Sequence, residues 1–316
     1  MTNAVILLYH GVTSQKNAGV RNSTGKHIYA EDFDEQMNFI KKSCNVVSLR
    51  KLIFLLNDTA PLPRATVAVT FDDSFKNLFT NGYPVLKKYE IPATMFITTG
   101  FVGKKRIIWA DKLELVLDSF TNKEKLLKSL SSIGFDKAIK LDTIEERKDA
   151  LARLKNFLKT VDEKRRIAFV ENLSDGLKFP LEDSENYQTL DWDEVRQMDA
   201  DNLIEIGSHT VNHPILSNLN SAEIEEEIVN SKEELQEKLS HKIDLFSYPE
   251  GQDSHYNKEV IDILKRNGFI CGLSAKYGDN PLGMDPFNLR RVMVGFMGIS
   301  FPFRKNEKTG VSVQCA

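Results

Sequence analysis

Hydrophobic positions along this chain fall into two registers. Short, nearly unbroken apolar runs occupy residues 5–9, 66–71, 93–98, 203–207, 245–248, 270–273 and 291–294. They are short enough for strands and lack the alternation of a strand with one wet face, so they predict strands buried on both sides. Between them, residues 30–43, 75–89, 221–239 and 258–267 carry apolar positions three and four apart, which predicts amphipathic helices. Strands separated by helices favour a parallel sheet, and about seven of them suit an α/β fold of (β/α) barrel type, with chemistry at the C-terminal strand ends.

Residues from about 104 to 188 break this rhythm. They are rich in Lys, Glu, Leu and Asp, and residues 109–120 and 144–158 read as amphipathic helices. The pattern predicts a helical insertion between two barrel strands, serving as a lid or side wall or as a solvated decoration. Residues 1–304 form one domain in this reading, and the polar stretch 305–316 is expected to be a frayed, flexible tail.

Composition narrows the function classes. The chain has 316 residues and a formal net charge of −3, so no basic excess points to nucleic acid or to an anionic membrane surface. Cys44, Cys271 and Cys315 are widely spaced with no C-x-x-C, which argues against a thiol zinc site and for reduced thiols. The first ten residues lack a basic leader and a small-residue cleavage site, so they read as a strand, and no window is long and apolar enough for a transmembrane segment. The expected setting is cytoplasmic; the pattern specifies no oligomeric state.

Candidate chemistry gathers where the apolar runs stop. Asp72-Asp73 ends one run, His209-x-x-x-His213 follows another, Pro249-Glu250-Gly251 a third, and His10 the first. Two imidazoles four residues apart can share one ion, though the spacing lacks the Glu of H-E-x-x-H. A carboxylate pair at a strand end can divide its duties, one binding a cation and one holding water, although Asp72-Asp73-Ser74 also suits a helix cap. A Pro-x-Gly turn can aim a backbone N–H at a developing oxyanion, and ordinary turns look the same. His10 can serve as an acid or as a structural residue. Arg291 can pair with a carboxylate of the site, whereas Arg290 reads as a surface residue. Two imidazoles and one carboxylate around a divalent metal, with a second carboxylate free for proton transfer, suit hydrolysis.

Three segments, Thr70-Phe71-Asp72-Asp73-Ser74, Ser208-His209-Thr210-Val211-Asn212-His213-Pro214 and Ser247-Tyr248-Pro249-Glu250-Gly251, occur in that order. They resemble the T-F-D-D-G, H-[ST]-x-x-H and R-x-P-x-G motifs of the polysaccharide deacetylases, the NodB-homology carbohydrate esterases, and the resemblance covers about residues 1–300. It implies a distorted (β/α) barrel. It also implies Asp72 as general base, Asp73, His209 and His213 as metal ligands, and the Glu250 N–H as oxyanion donor with Tyr248 and Pro249 beside the substrate.

The family's L-x-x-H motif, which supplies the general acid, usually comes last. No such sequence follows Gly251, and Leu7-Leu8-Tyr9-His10 fits the pattern at the other end of the chain. This is similar to the permuted order in deacetylases of bacterial poly-N-acetylglucosamine, which makes His10 the expected acid. Three departures stand out. Ser247 replaces the usual Arg, and Arg291 is expected to act for it. Asp285-Pro286-Phe287 only echoes the fourth motif. Ser74 replaces a Gly, which is tolerable where the backbone is not left-handed.

The resemblance implies one divalent metal, zinc first, with cobalt, nickel, manganese and iron compatible with the same ligands. The implied partner is an N-acetylated carbohydrate, as polymer, oligosaccharide or lipid- or nucleotide-linked precursor. The alternatives are a deformylase or deacylase of a lipid-linked amino sugar or small amide, and a glycan-binding relic without activity.

Overall fold

Val, Ile, Leu and aromatic side chains fill both faces of the apolar runs, and a sheet covered on both sides is what they build. The computed structural model describes residues 3–16, 19–63, 65–135, 138–174, 184–306 and 310–313. Cys315 and part of the 104–188 segment lie outside them. The strands are β1 (Val5–Tyr9), β2 (Gly11–Thr13), β3 (His27–Tyr29), β4 (Asn45–Val46), β5 (Thr66–Phe71), β6 (Ala93–Ile97), β7 (Ile204–Ser208), β8 (Val292–Met293), β9 (Phe303–Asn306) and β10 (Gly310–Val313). The helices are α1 (Ala30–Ser43), α2 (Leu49–Asn57), α3 (Tyr83–Tyr89), α4 (Trp109–Ser119), α5 (Lys123–Ser132), α6 (Ile144–Leu158), α7 (Glu163–Ser174), α8 (Trp192–Asp199), α9 (Ser221–Leu239) and α10 (Lys258–Arg266).

The main sheet runs β7-β6-β5-β1-β8, every neighbour parallel, with β4 pairing on the start of β5. The arc from β7 round to β8 is carried by single parallel bridges: Ser208 to Phe246, Ser247 to Leu273, and Leu273 to Leu289. Residues 245–248 and 270–273, expected as full strands, therefore touch their neighbours at isolated points. Pro249 ends the first because it has no N–H to give. In the second, Gly272 admits the Tyr248 hydroxyl, which a Cβ there would meet at 2.1 Å. The result is the distorted α/β barrel with its outer helices.

Side-chain alternation sets the two layers. Val5, Leu7, Tyr9, Val67, Val69 and Phe71 pack with Phe33, Met37 and Ile40 of α1, Leu86 of α3, and Val195 and Met198 of α8. Ile6, Ala68, Phe96, Leu245, Leu273 and Leu289 form the opposite layer with Leu49, Leu52 and Leu56 of α2. Between β6 and β7, helices α4 to α7 build a core of their own around Trp109, Leu113, Leu117, Leu151, Leu154 and Phe169. Val20, Phe75 and Phe101 join that core and dock the insertion on the barrel. The segment expected to begin a frayed tail holds the antiparallel pair β9–β10. Among the described residues, no helix is long and apolar enough to cross a membrane.

Gly207 sits where β7 passes closest to its neighbours. A Cβ there would lie 2.6 Å from the Phe96 ring and 3.0 Å from the Leu245 carbonyl oxygen. Gly207→Ala is expected to lower the unfolding free energy by about 1–3 kcal/mol. Urea titration followed by circular dichroism measures it, and an unchanged midpoint would show that this contact yields freely.

Candidate metal and catalytic site

Register brings the site together. In the β1–β5 ladder Tyr9 lies opposite Phe71, so His10 and Asp72 are the next residues out, and the Asp72 N–H donates to the Tyr9 carbonyl at 3.1 Å. In the β6–β7 ladder Ile97 lies opposite Ser208, and the His209 N–H donates to the Ile97 carbonyl at 2.9 Å. The bridge from Ser208 to Phe246 sets Ser247 beside His209.

Strand alternation alone would send Asp72 and Asp73 to opposite faces. The backbone turns left-handed instead, with φ of 75° at Asp73 and 61° at Ser74, and both carboxylates end up buried at the same mouth. Thr210, His213 and Glu250 also have positive φ, at 67°, 57° and 60°. Such conformations carry strain and persist where surrounding contacts hold them. At Ser74 the condition for an easy exchange with Gly is not met, because the backbone there is left-handed. Its hydroxyl compensates by accepting from the Thr98 N–H at 2.8 Å, a bond glycine lacks.

Asp73, His209 and His213 converge, with ligand atoms all within 4.8 Å of one another. Asp73 Oδ1 lies 3.2 Å from His213 Nε2 and 3.4 Å from His209 Nε2. Bonds of ~2.0–2.1 Å to a tetrahedral zinc would separate two donors by ~3.3–3.4 Å. The same Oδ1 is buried without a hydrogen-bond partner, and a cation would supply what it lacks. His209 Nδ1 faces the Ser247 carbonyl at 2.8 Å, which sets the tautomer that leaves Nε2 free. The three residues fit a divalent cation in ligand type, spacing and unmet bonding.

Asp72 is engaged differently. Arg291, itself fully buried, grips it with both terminal nitrogens, at 2.9 Å to Oδ1 and 2.8 Å to Oδ2. Ser247 donates to Oδ2 at 3.0 Å and accepts from Arg291 at 2.8 Å. Arg291 Nε is fixed by the Ser274 carbonyl at 2.7 Å. Serine thus stands where the motif has arginine, and an arginine from the next arc of the barrel reaches the same carboxylate. Burial pushes the Asp72 pKa up, but Arg291 and His209 outweigh it and hold the group below its ordinary value. At Asp73 burial is likewise outweighed, by Lys26 and then His213, and the carboxyl stays well below the usual range.

His10 lines the same pocket, with Nε2 4.0 Å from Asp73 Oδ2. Burial is the main influence on its imidazole and lowers its pKa to about 4. Burial thus favours the neutral imidazole at His10. Tyr248 lines the pocket with its ring, stacked on Tyr256 at 3.9 Å, while its hydroxyl donates to the Phe287 carbonyl. Phe287 is buried, so the echo of the fourth motif supplies a carbonyl to Tyr248. Pro249 gives its carbonyl to the Gly251 N–H at 2.7 Å and shapes the turn. The Glu250 carboxylate pairs with Lys159 at 2.6 Å.

Residues not singled out from the sequence complete the walls. Ile108, Asp111, Lys155 and Lys159 come from the insertion, and Lys26 and Phe296 from loops. Lys26 bonds Asp73 Oδ2 at 2.8 Å and Asp111 at 3.1 Å. Burial opposes its charge, but Asp111 and Asp73 raise its pKa above the ordinary lysine value. Nothing in the local pattern around Lys26 marks it, because the partner that draws it inward lies 85 residues away.

Comparison with known proteins agrees with this geometry. The family model described as polysaccharide deacetylase matches residues 59–271. Over 74 residues the chain is 35% identical to a poly-beta-1,6-N-acetyl-D-glucosamine N-deacetylase of Staphylococcus aureus, covering 23% of this chain and 25% of that protein. Over 102 residues it is 30% identical to the Staphylococcus epidermidis protein of the same name, covering 32% of each. The chain thus matches about a quarter to a third of the length of these curated relatives. Among solved structures, IcaB from Ammonifex degensii superposes with a TM-score of 0.61 at 19% identity, over 93% of this chain and 92% of that one. Streptococcus pyogenes deacetylase PplD in complex with acetate gives 0.59 at 18% identity, over 95% of both.

Asp73→Ala and His213→Ala are each expected to reduce bound metal from about one equivalent to near zero, read by elemental analysis of the purified protein. Arg291→Met leaves Asp72 buried and ionised without its partner. It is expected to lower the unfolding free energy of chelator-treated protein by ~3–5 kcal/mol. A urea midpoint unmoved from wild type would mean that Ser247 and water suffice.

Proposed function

We propose that this chain, which belongs to the polysaccharide deacetylase family, is a metal-dependent hydrolase that removes the N-acetyl group from an amino sugar of a glycan or glycan precursor. The observation that carries the reading is the meeting of Asp73, His209 and His213 at one buried point, beside a second carboxylate kept ionised by Arg291. Zinc is the first choice of cation, on ligand type. When bound it would polarise the amide carbonyl and acidify water.

The chain's own groups do the rest. Asp72, low in pKa and held by Arg291 and Ser247, accepts the proton of the attacking water. The Glu250 N–H, in its left-handed turn, stabilises the oxyanion of the tetrahedral intermediate. The departing amine needs one proton, and His10 stands on the opposite carboxylate to supply it. Because burial favours the neutral imidazole at His10, the proton it passes to the amine is the one Asp72 took from the water, so both groups end as they began. The ring of Tyr248 and the side chains of Leu8, Met293 and Phe296 give the pocket apolar wall for the acetyl methyl and sugar faces. The products are acetate and a free amino sugar.

A relic that only binds glycan would have no need to keep a complete ligand triad and an ionised base. A deformylase or other deacylase would share every group named, so the acyl group is what an assay must separate. The zinc-loaded full chain is expected to release acetate from poly-β-1,6-N-acetylglucosamine or from shorter N-acetylated sugars and lipid- or nucleotide-linked precursors, and to stop on chelation. Formate release from N-formyl sugars without acetate release would overturn the acyl assignment. Asp72→Asn is expected to keep metal and lose turnover by at least about 100-fold. His10→Ala is expected to lose turnover with metal content unchanged; a rate equal to wild type would move the acid role to another group.

A further inference from the structure

The two oxygens of Asp73 have separate surroundings. Oδ1 is buried without a hydrogen bond and faces both imidazoles, whereas Oδ2 is bound by the Lys26 ammonium at 2.8 Å. We infer that Lys26, held in place by Asp111 of the insertion, is a positioning residue that reserves Oδ2 and restricts Asp73 to a single bond with the cation. This rests on the metal-dependent reading above and concerns how that metal is kept reactive.

Lys26 is held from several sides. Its ammonium bonds Asp111 Oδ1 at 3.2 Å and Oδ2 at 3.1 Å, and lies 4.6 Å from the centre of the Phe75 ring. Asp111 is buried on α4. The loop that carries Lys26 is tied to the same helix: the Val20 N–H donates to Asp118 at 3.0 Å, Arg21 pairs with Asp118 at 2.7 Å, and the Asn22 N–H donates to Glu114 at 3.1 Å. The loop is thereby fixed on α4, and Asp111 and the Phe75 ring hold the ammonium beside Oδ2.

The chemical consequence follows from coordination number. A catalytic cation with three protein ligands keeps a position open for water or substrate. A carboxylate free on both oxygens can swing to grip the cation twice and fill that position. A cation already seated on Oδ2 forbids this and draws charge out of the carboxylate, which leaves the metal the stronger Lewis acid. The insertion thereby acts on the chemistry through one ion pair, as an outer-shell partner of a metal ligand.

The test uses the full chain loaded with Co2+, whose visible absorption weakens as coordination number rises. Lys26→Met is expected to bind one Co2+ with a Kd no weaker than wild type. Its visible bands should be weaker in the absence of substrate, and kcat should fall at least about tenfold with KM nearly unchanged. Lys26→Arg should restore most of the wild-type spectrum, and Asp111→Asn should shift it the same way as Lys26→Met by a smaller amount. A Lys26→Met spectrum identical to wild type overturns the inference, as does a weaker Kd, which would make Lys26 a support for binding. If Lys26→Met does not fold, Asp111→Asn decides alone: an unshifted spectrum overturns it. Wild-type protein that binds no Co2+ fails the metal-dependent reading itself, a result distinct from the others.

Discussion

The site depends on a local constraint of backbone geometry: two consecutive non-glycine residues, Asp73 and Ser74, held left-handed at the end of β5. Without that turn, neighbouring side chains would diverge to opposite faces, one toward the pocket and one toward the layer that packs on α1 and α3. With it, Asp72 and Asp73 share a mouth while keeping different partners. A left-handed L-residue costs roughly 1–2 kcal/mol. The bond from the Thr98 N–H to Ser74, the bond from the Leu190 N–H to the Ser74 carbonyl, and the contacts of both carboxylates offset it. Strain here is a condition of function, because the relaxed backbone would not place the two acids together.

Two carboxylates so close and so buried are unfavourable unless each is compensated on its own side. The fold assigns one cation to each. Arg291 comes from the arc before β8 and reaches Asp72 in a two-point grip that only a planar guanidinium makes. Lys26 comes from the loop before β3 and reaches Asp73, with Asp111 neutralising its remaining charge. Each carboxylate thus has a cation of its own, and among the described residues Asp73 Oδ1 and the two imidazoles form the group that could hold a further one.

Strand ends carried most of what was legible in the sequence. Unbroken apolar runs gave the strands, and the residues just past them, Asp72, Asp73, His209 and His10, turned out to be neighbours because parallel ladders bring C-terminal ends into line. His10 and Arg291 lie outside the span 59–271 that matches the family, and only the motif at the first strand and the missing motif arginine pointed to them. Lys26 and Asp111 were invisible. Lys26 is an ordinary charge on a polar stretch and Asp111 one charge of an amphipathic helix, and what distinguishes them is burial against each other, a tertiary fact. The weak arc at residues 245–248 and 270–273 was also hidden, since apolar runs report burial and not whether a ladder forms. The environment of His10 was hidden too: its ordinary pKa is a property of the residue, whereas the lowering to about 4 comes first from desolvation in the folded pocket.

The insertion is best understood through its charges. Its hydrophobic core docks on Val20, Phe75 and Phe101, and two ion pairs fix its position beside the pocket. Asp111 meets Lys26 on one side of the pocket, Lys159 meets Glu250 on another, and Lys155 lies near Glu114 between them. The first joins the insertion to the loop between β2 and β3, the second to the turn after residues 245–248. Those pairs end on residues that touch Asp73 on one side and on Glu250 itself on the other. Residues of the insertion therefore line the same pocket as Asp73, His209 and His213, and the two ion pairs hold them there.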